Sequence, residues 1–188
     1  HNLRIEVVHT EKEREKITRI KRLAQAHEGS GIVYTSTRKA VEQVGTELKR
    51  LGLRVSTYHA GMTDAVRVRA QDDFMSGRTQ MIVATNAFGM GIDKRDIRFV
   101  AHYQIPGSIE AYYQEIGRAG RDDLPAHCLL LYNYGDASKI RYFIGQKDEP
   151  ERTSSYQHLD AMTRYAEGSA CRRKPLLSYF GETFLPEN

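Results

Sequence analysis

Short apolar runs alternate with amphipathic stretches along most of this chain, and that alternation constrains the fold more than any other feature. Residues 3–8 alternate as a half-buried strand does. Thr10 and Glu13 are spaced as a capping box, which predicts a charged helix running to about His27. Residues 31–35 form a short apolar run, as expected of a strand buried on both faces. Thr37 is placed to cap the next helix, on which Val41, Val44, Leu48 and Leu51 recur at helical spacing. Gly52 is placed to end it. A third strand is expected over 54–58. Thr63 or Asp64 then opens a helix bearing Val66, Ala70 and Phe74, closed by Gly77. Strands over 80–84, 98–103 and 126–132 follow, with a helix starting at Ser108 between the last two.

Alternation with short connections predicts a doubly wound α/β fold, with an open, mostly parallel sheet between two helical layers. In such sheets ligands bind beyond the carboxyl ends of the strands. Residues 35–38, 59–61 and 85–91 are turns that follow strands, so they are expected along one functional edge. Strand signals stop near Glu151. Helical stretches around 156–167 and 170–180 predict a helical subdomain over 151–188, joined by a linker at 146–150 to a sheet domain over 1–150.

Gln114-Glu115-Ile116-Gly117-Arg118-Ala119-Gly120-Arg121 carries the strongest chemical signal. Arginines three apart share one face if the segment is helical. Their planar, permanently charged forks match phosphate oxygens. One reading is a polyphosphate site that neutralises charge in phosphoryl transfer. The other is a basic helix with two solvated arginines. Thr35, Ser36, Thr37 and Arg38 offer hydroxyls, backbone N–H groups and a cation at a helix start, which suits a phosphate; plain N-capping is the alternative. Gly89 and Gly91 permit close backbone approach, and Asp93 can accept from an arginine or a ribose. His59 reads as a turn residue, Phe88, Met90 and most tyrosines as packing, and Cys128 as a small core hydrophobe.

The chain has 188 residues, 40% hydrophobic and 28% charged, which excludes a disordered polymer. A formal net charge of +4 permits a polyanionic partner. No apolar run is long enough to cross a bilayer. Two cysteines make no disulfide framework, so an intracellular setting is expected, bacterial cytoplasm or nucleoid or a eukaryotic nucleus. The absence of an initiator methionine and of a signal-peptide pattern reads as a piece of a longer protein. There is no G-x-x-x-x-G-K-[ST] loop and no acidic cluster after a strand to hold magnesium. A chain with phosphate-seeking arginines but no cradle is suited to completing an active site held elsewhere.

These segments, in this order, resemble the second RecA-like domain of a superfamily 2 helicase, and within that group the RecQ family of DNA helicases. Residues 31–38 are similar to helicase motif IV, and 58–62 with Arg67, Gln71 and Phe74 to the segment after it. Residues 83–94 match motif V and 112–122 match motif VI. Residues 171–182 resemble the start of the RecQ zinc-binding subdomain. The resemblance implies a RecA-like three-layer fold with a short C-terminal helical extension. It implies an ATP-dependent DNA helicase moving 3′ to 5′ in repair, recombination and replication. Arg121, with Arg118, would be the arginine finger on ATP and Mg2+ held mainly by the preceding RecA-like domain, and Gln114 would set that site's geometry. Asp93 and Gly91 would couple nucleotide state to DNA. Ser36, Arg38 and Thr85 would touch the backbone of single-stranded or junction DNA. Cys171 would be the first of four Zn2+ ligands, the rest lying beyond Glu182, so no zinc and a loosely held helical tail are expected here. The chain alone is expected to be inactive. Two positions depart from the family pattern: Arg95 stands where a proline commonly follows Lys94, and Asp123 where a glycine commonly follows Asp122. Two other readings stay open, a non-enzymatic nucleic-acid-binding module and half of an RNA helicase. Strong salt-dependent DNA binding by the chain alone favours the first, and preference for ribose strands the second.

Overall fold

Strand residues sort into two cores by parity, because successive side chains on a strand point to opposite faces. In the computed structural model, which describes residues 2–89 and 92–183, strand β2 (Ser30–Tyr34) sends Ile32 and Tyr34 to one face and Val33 to the other. Strand β4 (Met81–Ala84) sends Ile82 and Ala84 to the first face, Met81 and Val83 to the second. Strand β6 (Ala126–Tyr132) divides Cys128, Leu130 and Tyr132 from Leu129 and Leu131 in the same way. The remaining strands are β1 (Leu3–His9), β3 (Val55–Tyr58) and β5 (Ile97–His102). The sheet order is β1-β6-β5-β2-β4-β3, and every pairing is parallel.

Helices α1 (Glu13–Ala26) and α2 (Arg38–Arg50) cover the second face with Ile17, Ile20, Leu23, Val41, Val44 and Leu48. The first face is covered by α3 (Asp64–Met75), α4 (Ile109–Ile116), α5 (Tyr134–Ile144), α6 (Glu151–Glu167) and α7 (Arg173–Tyr179). The expected three-layer α/β architecture is therefore observed. Among the described residues no helix is long and apolar enough to cross a membrane.

Local signals set most boundaries. Thr37 Oγ1 accepts from the Ala40 N–H at 3.1 Å and Ser108 Oγ from the Ala111 N–H at 3.1 Å, satisfying otherwise orphaned donors. Gly52 follows α2 with φ +85°, a left-handed residue that terminates the helix. Three expectations need correction. Thr10 does not cap α1: the helix starts from Lys12 with no side-chain cap. Thr10 instead prolongs β1, its N–H donating to the Tyr132 carbonyl at 2.9 Å; with Lys12 as the N-cap, Glu13 is the first helical residue and not the third, so the register of the box is not met. Val66 is exposed, and α3 buries only Ala70 and Phe74. The C-terminal helices are not loosely held. Leu159, Met162, Tyr165 and Ala166 of α6 and Leu176 of α7 are buried, most of them in the first-face core, and Tyr132 Oη donates to Glu167 Oε1 at 2.8 Å.

Helix α5 was not foreseen. Asn133 caps it, its Oδ1 accepting from the Asp136 N–H at 3.1 Å. Asp136 pairs with Lys16 of α1, whose Nζ also donates to the Tyr103 carbonyl at 2.8 Å. Both charged groups are buried, so each makes the other's desolvation tolerable, and together they join α1 to α5 at the carboxyl end of the sheet.

Candidate functional site

Two groups of side chains form beside the central strands. The first follows from parallel pairing. The Thr35 N–H donates to the Ala84 carbonyl at 2.9 Å and the Thr85 N–H to the Tyr58 carbonyl at 3.3 Å, so the turns after β2, β3 and β4 adjoin. Ser36, Arg38 and Thr85 are thereby brought to one edge, as expected. Ser36 and Arg38 are exposed and Thr85 is nearly buried. The backbone N–H groups are less free than the sequence suggested: the Ser36 N–H donates to Gln104 Oε1 at 2.9 Å, and the Ala40 N–H donates to Thr37 Oγ1 at 3.1 Å. Any phosphate recognition here falls to side chains more than to a backbone nest. Arg38 crosses the face of Gly61, where a Cβ would lie 3.0 Å from Nη1. His59 is buried, with Nε2 2.9 Å from Glu42 Oε1. Its Nδ1 accepts from the Gly61 N–H at 3.1 Å, which places the ring proton on Nε2.

The second group forms where the segment after β4 crosses the first face. Phe88 and Ile92 anchor that crossing in the core; Phe88 meets Tyr58 edge-on with ring centroids 5.0 Å apart. This bears out packing for Phe88. Gly89 has φ +129°, a conformation that L side chains rarely adopt, and a Cβ there would meet the Arg118 guanidinium, so both backbone and space favour glycine. Arg118 Nη1 donates to the Gly89 carbonyl. Arg121 Nη1 donates to the Ile92 carbonyl at 3.0 Å and lies 3.4 Å from Asp93 Oδ1. Gln114 is exposed on α4. Gly91 and Met90 lie outside the described residues.

The two arginines do not share a helix face. Helix α4 ends at Ile116, and Arg118 and Arg121 sit in the turns beyond it. Gly120 has φ +63° and donates its N–H to the Ile97 carbonyl at 2.9 Å, which binds the turn to the sheet. Asp123 also has φ +63°, the conformation glycine adopts most easily, at the position where the family commonly has one. Asp122 pairs with Arg98, and that hydrogen bond holds its carboxyl below the usual range.

Sequence reasoning missed one pair beneath this turn. Glu115 and His102 are buried, and His102 stacks on Tyr34 at 5.4 Å. Tyr34 Oη in turn donates to the Phe88 carbonyl at 3.3 Å, and burial pushes the Tyr34 hydroxyl well above its ordinary value. A signal existed: Glu115 falls three residues after buried Tyr112, on the apolar face of α4. Gln104 carried no such signal. Cys128 is core, its thiol pushed up to about 12 by burial. Cys171 is exposed, and among the described residues no group of three His, Cys, Asp or Glu could hold a metal. One exposed thiolate is not a tetrahedral ligand set, so the described residues do not by themselves complete a zinc site.

Residues 15–123 match the helicase conserved C-terminal domain, and residues 134–188 the RecQ zinc-binding family. The second match begins where α5 begins. The chain is 46% identical over 182 residues to the ATP-dependent DNA helicase RecQ of Haemophilus influenzae, covering 96% of this chain and 29% of that protein. It is 45% identical to the RecQ helicase of Bacillus subtilis, covering 81% of this chain and 26% of that one. The chain thus spans under a third of these relatives' length. In fold it is similar to the E. coli DEAD-box protein SrmB, with TM-score 0.64 at 22% identity over 80% of this chain and 87% of that chain. Two arginine-bearing turns clasping a glycine-containing crossing, on an all-parallel RecA-like sheet, agree with these matches, and the chain belongs to the helicase conserved C-terminal domain family, among its RecQ members.

Proposed function

We propose that this chain is the second motor half of an ATP-dependent 3′–5′ DNA helicase working inside the cell on single-stranded and junction DNA in repair, recombination and replication. Residues 1–150 form the motor domain and 151–188 the start of the zinc-binding subdomain, with Cys171 as a ligand to zinc in the longer protein. ATP and Mg2+ are held mainly by the preceding RecA-like domain. The observation that carries this reading is the half-exposed Arg121 guanidinium, positioned by the Ile92 carbonyl and Asp93 on a chain without a phosphate-binding loop of its own.

ATP held by the preceding domain would supply the phosphoryl group transferred to water, and Arg121 and Arg118 would neutralise the negative charge that develops on the phosphate oxygens during that transfer. Gln114, exposed on the same helix that delivers the arginines, orients groups at that site. Asp93 and Gly91 link the nucleotide side to the segment that begins at Thr85. Ser36, Arg38 and Thr85 hold the DNA backbone through hydroxyl and cationic contacts, which carry no base information.

In the full-length protein, Arg121→Ala should leave ATP binding within about twofold and lower turnover by a factor on the order of 10³ or more. The 188-residue chain alone should not hydrolyse ATP. Unchanged turnover in the variant removes Arg121 from this role.

A further inference from the structure

The second half of α1 leans over the amino ends of β1 and β6 and leaves a cavity of about 510 Å3. It lies away from both groups described above. Leu23 and Leu129 line its apolar part, and Arg4, Glu6, Arg19, Arg22, His27 and His127 supply its polar wall. Five of these six side chains are basic. Arg19 is engaged by Glu15 at 2.8 Å. Glu6 accepts from His127 Nε2 at 2.9 Å and lies 3.5 Å from Arg4. Arg22, on the α1 side, has no ion pair or hydrogen bond among the described residues. The His27 and His127 rings lie 5.8 Å apart.

The charges do not cancel. Arg4 and Arg22 are opposed in the wall by Glu6 alone, and the C-terminal end of α1 adds about half a negative charge. Burial and then the neighbouring His127, Arg98 and Arg4 hold His27 below its usual value, and burial holds His127 down despite Glu6, with Arg4 a smaller cause. A concave, partly apolar site with excess cationic donors suits an anion carrying two or more charges.

We propose that this cavity binds a phosphate-bearing anion, with Arg4 and Arg22 as its cationic donors and the His27–His127 pair beside it. The phosphate could belong to a small free polyphosphate or to the nucleic-acid backbone. Both sources offer the same oxygens to the guanidinium forks, and the cavity volume accommodates a pyrophosphate-sized group.

The test is an NMR titration of the full chain, reading the imidazole resonances of His27 and His127. One arm uses inorganic pyrophosphate and the other a short single-stranded oligothymidylate. Saturable shifts at both histidines are expected, with Kd below about 1 mM. Arg22→Ala, on an exposed side chain without structural bonds, should weaken binding about tenfold, as loss of one charge-assisted hydrogen bond predicts. Arg4→Ala should do likewise. Saturation by pyrophosphate assigns a free polyphosphate; saturation by the oligonucleotide alone assigns the backbone. No histidine shift in either arm, or shifts unchanged by both arginine variants, overturns the proposal.

Discussion

Glu115 Oε2 lies 2.7 Å from His102 Nε2, and both side chains are shut away from water directly beneath the arginine turn. His102 Nδ1 is also buried and has no partner, so Glu115 is the imidazole's remaining polar contact among the described residues. Glu115→Ala should cost about 2–4 kcal/mol, because it leaves a buried polar ring unsatisfied and opens a void. Glu115→Gln should cost about 1–2 kcal/mol, since the amide keeps the shape and one hydrogen bond. Urea unfolding checks both. An alanine cost below that of glutamine shows that the pair is not what holds the turn.

Asp123 tests the departure from the family's glycine. Its φ of +63° is tolerable for aspartate but poor for a β-branched residue. Asp123→Val should destabilise by about 1–2 kcal/mol. Asp123→Gly should be neutral or stabilising by up to about 1 kcal/mol. Thermal melts of the two variants should therefore move apart, and equal melting temperatures refute strain at this turn.

Stability should fall in mild acid. The His27 and His127 values are depressed in the folded state, chiefly by burial. Below about pH 6.5 the unfolded chain then binds more protons than the folded one. Stability present above that pH is lost as pH falls through the folded values. The melting temperature should drop between pH 7.5 and 5.5, and the His27→Gln/His127→Gln variant should show a smaller drop. A parallel drop in both proteins assigns the acid sensitivity to other groups.

Arg38 is exposed at the carboxyl edge, close over Gly61, and makes no base-reading contact in the proposed role. Arg38→Ala in the full-length protein should weaken single-stranded DNA binding for all sequences alike. The slope of log K against log salt should fall by somewhat less than one unit, as for one lost phosphate contact. An unchanged slope places Arg38 off the DNA path.

Element order was legible because its signals are local. The strand over 126–132 was found by its apolar run, and α2 and α4 by Thr37 and Ser108, whose hydroxyls act within three residues. Helix α5 is not legible in the sequence because Tyr134, Tyr142 and Phe143 are exposed while Ala137 and Ile144 are buried, so hydrophobicity does not mark one face. The capping box at Thr10 was a matching spacing without the matching backbone.

The sequence by itself determined the RecA-like order of strands and helices, and the residue types available for phosphate chemistry. Periodicity and capping act over a few residues, so they can be read without knowing the fold. Only the tertiary structure decided which groups meet. Arg121 reaches Ile92 and Asp93 because β4 and β5 flank β2, which draws the segment between them across the face on which α4 ends. Lys16 finds Asp136, and His102 finds Glu115, by burial against neighbouring elements. Those partnerships follow from strand order and desolvation, which no local pattern encodes.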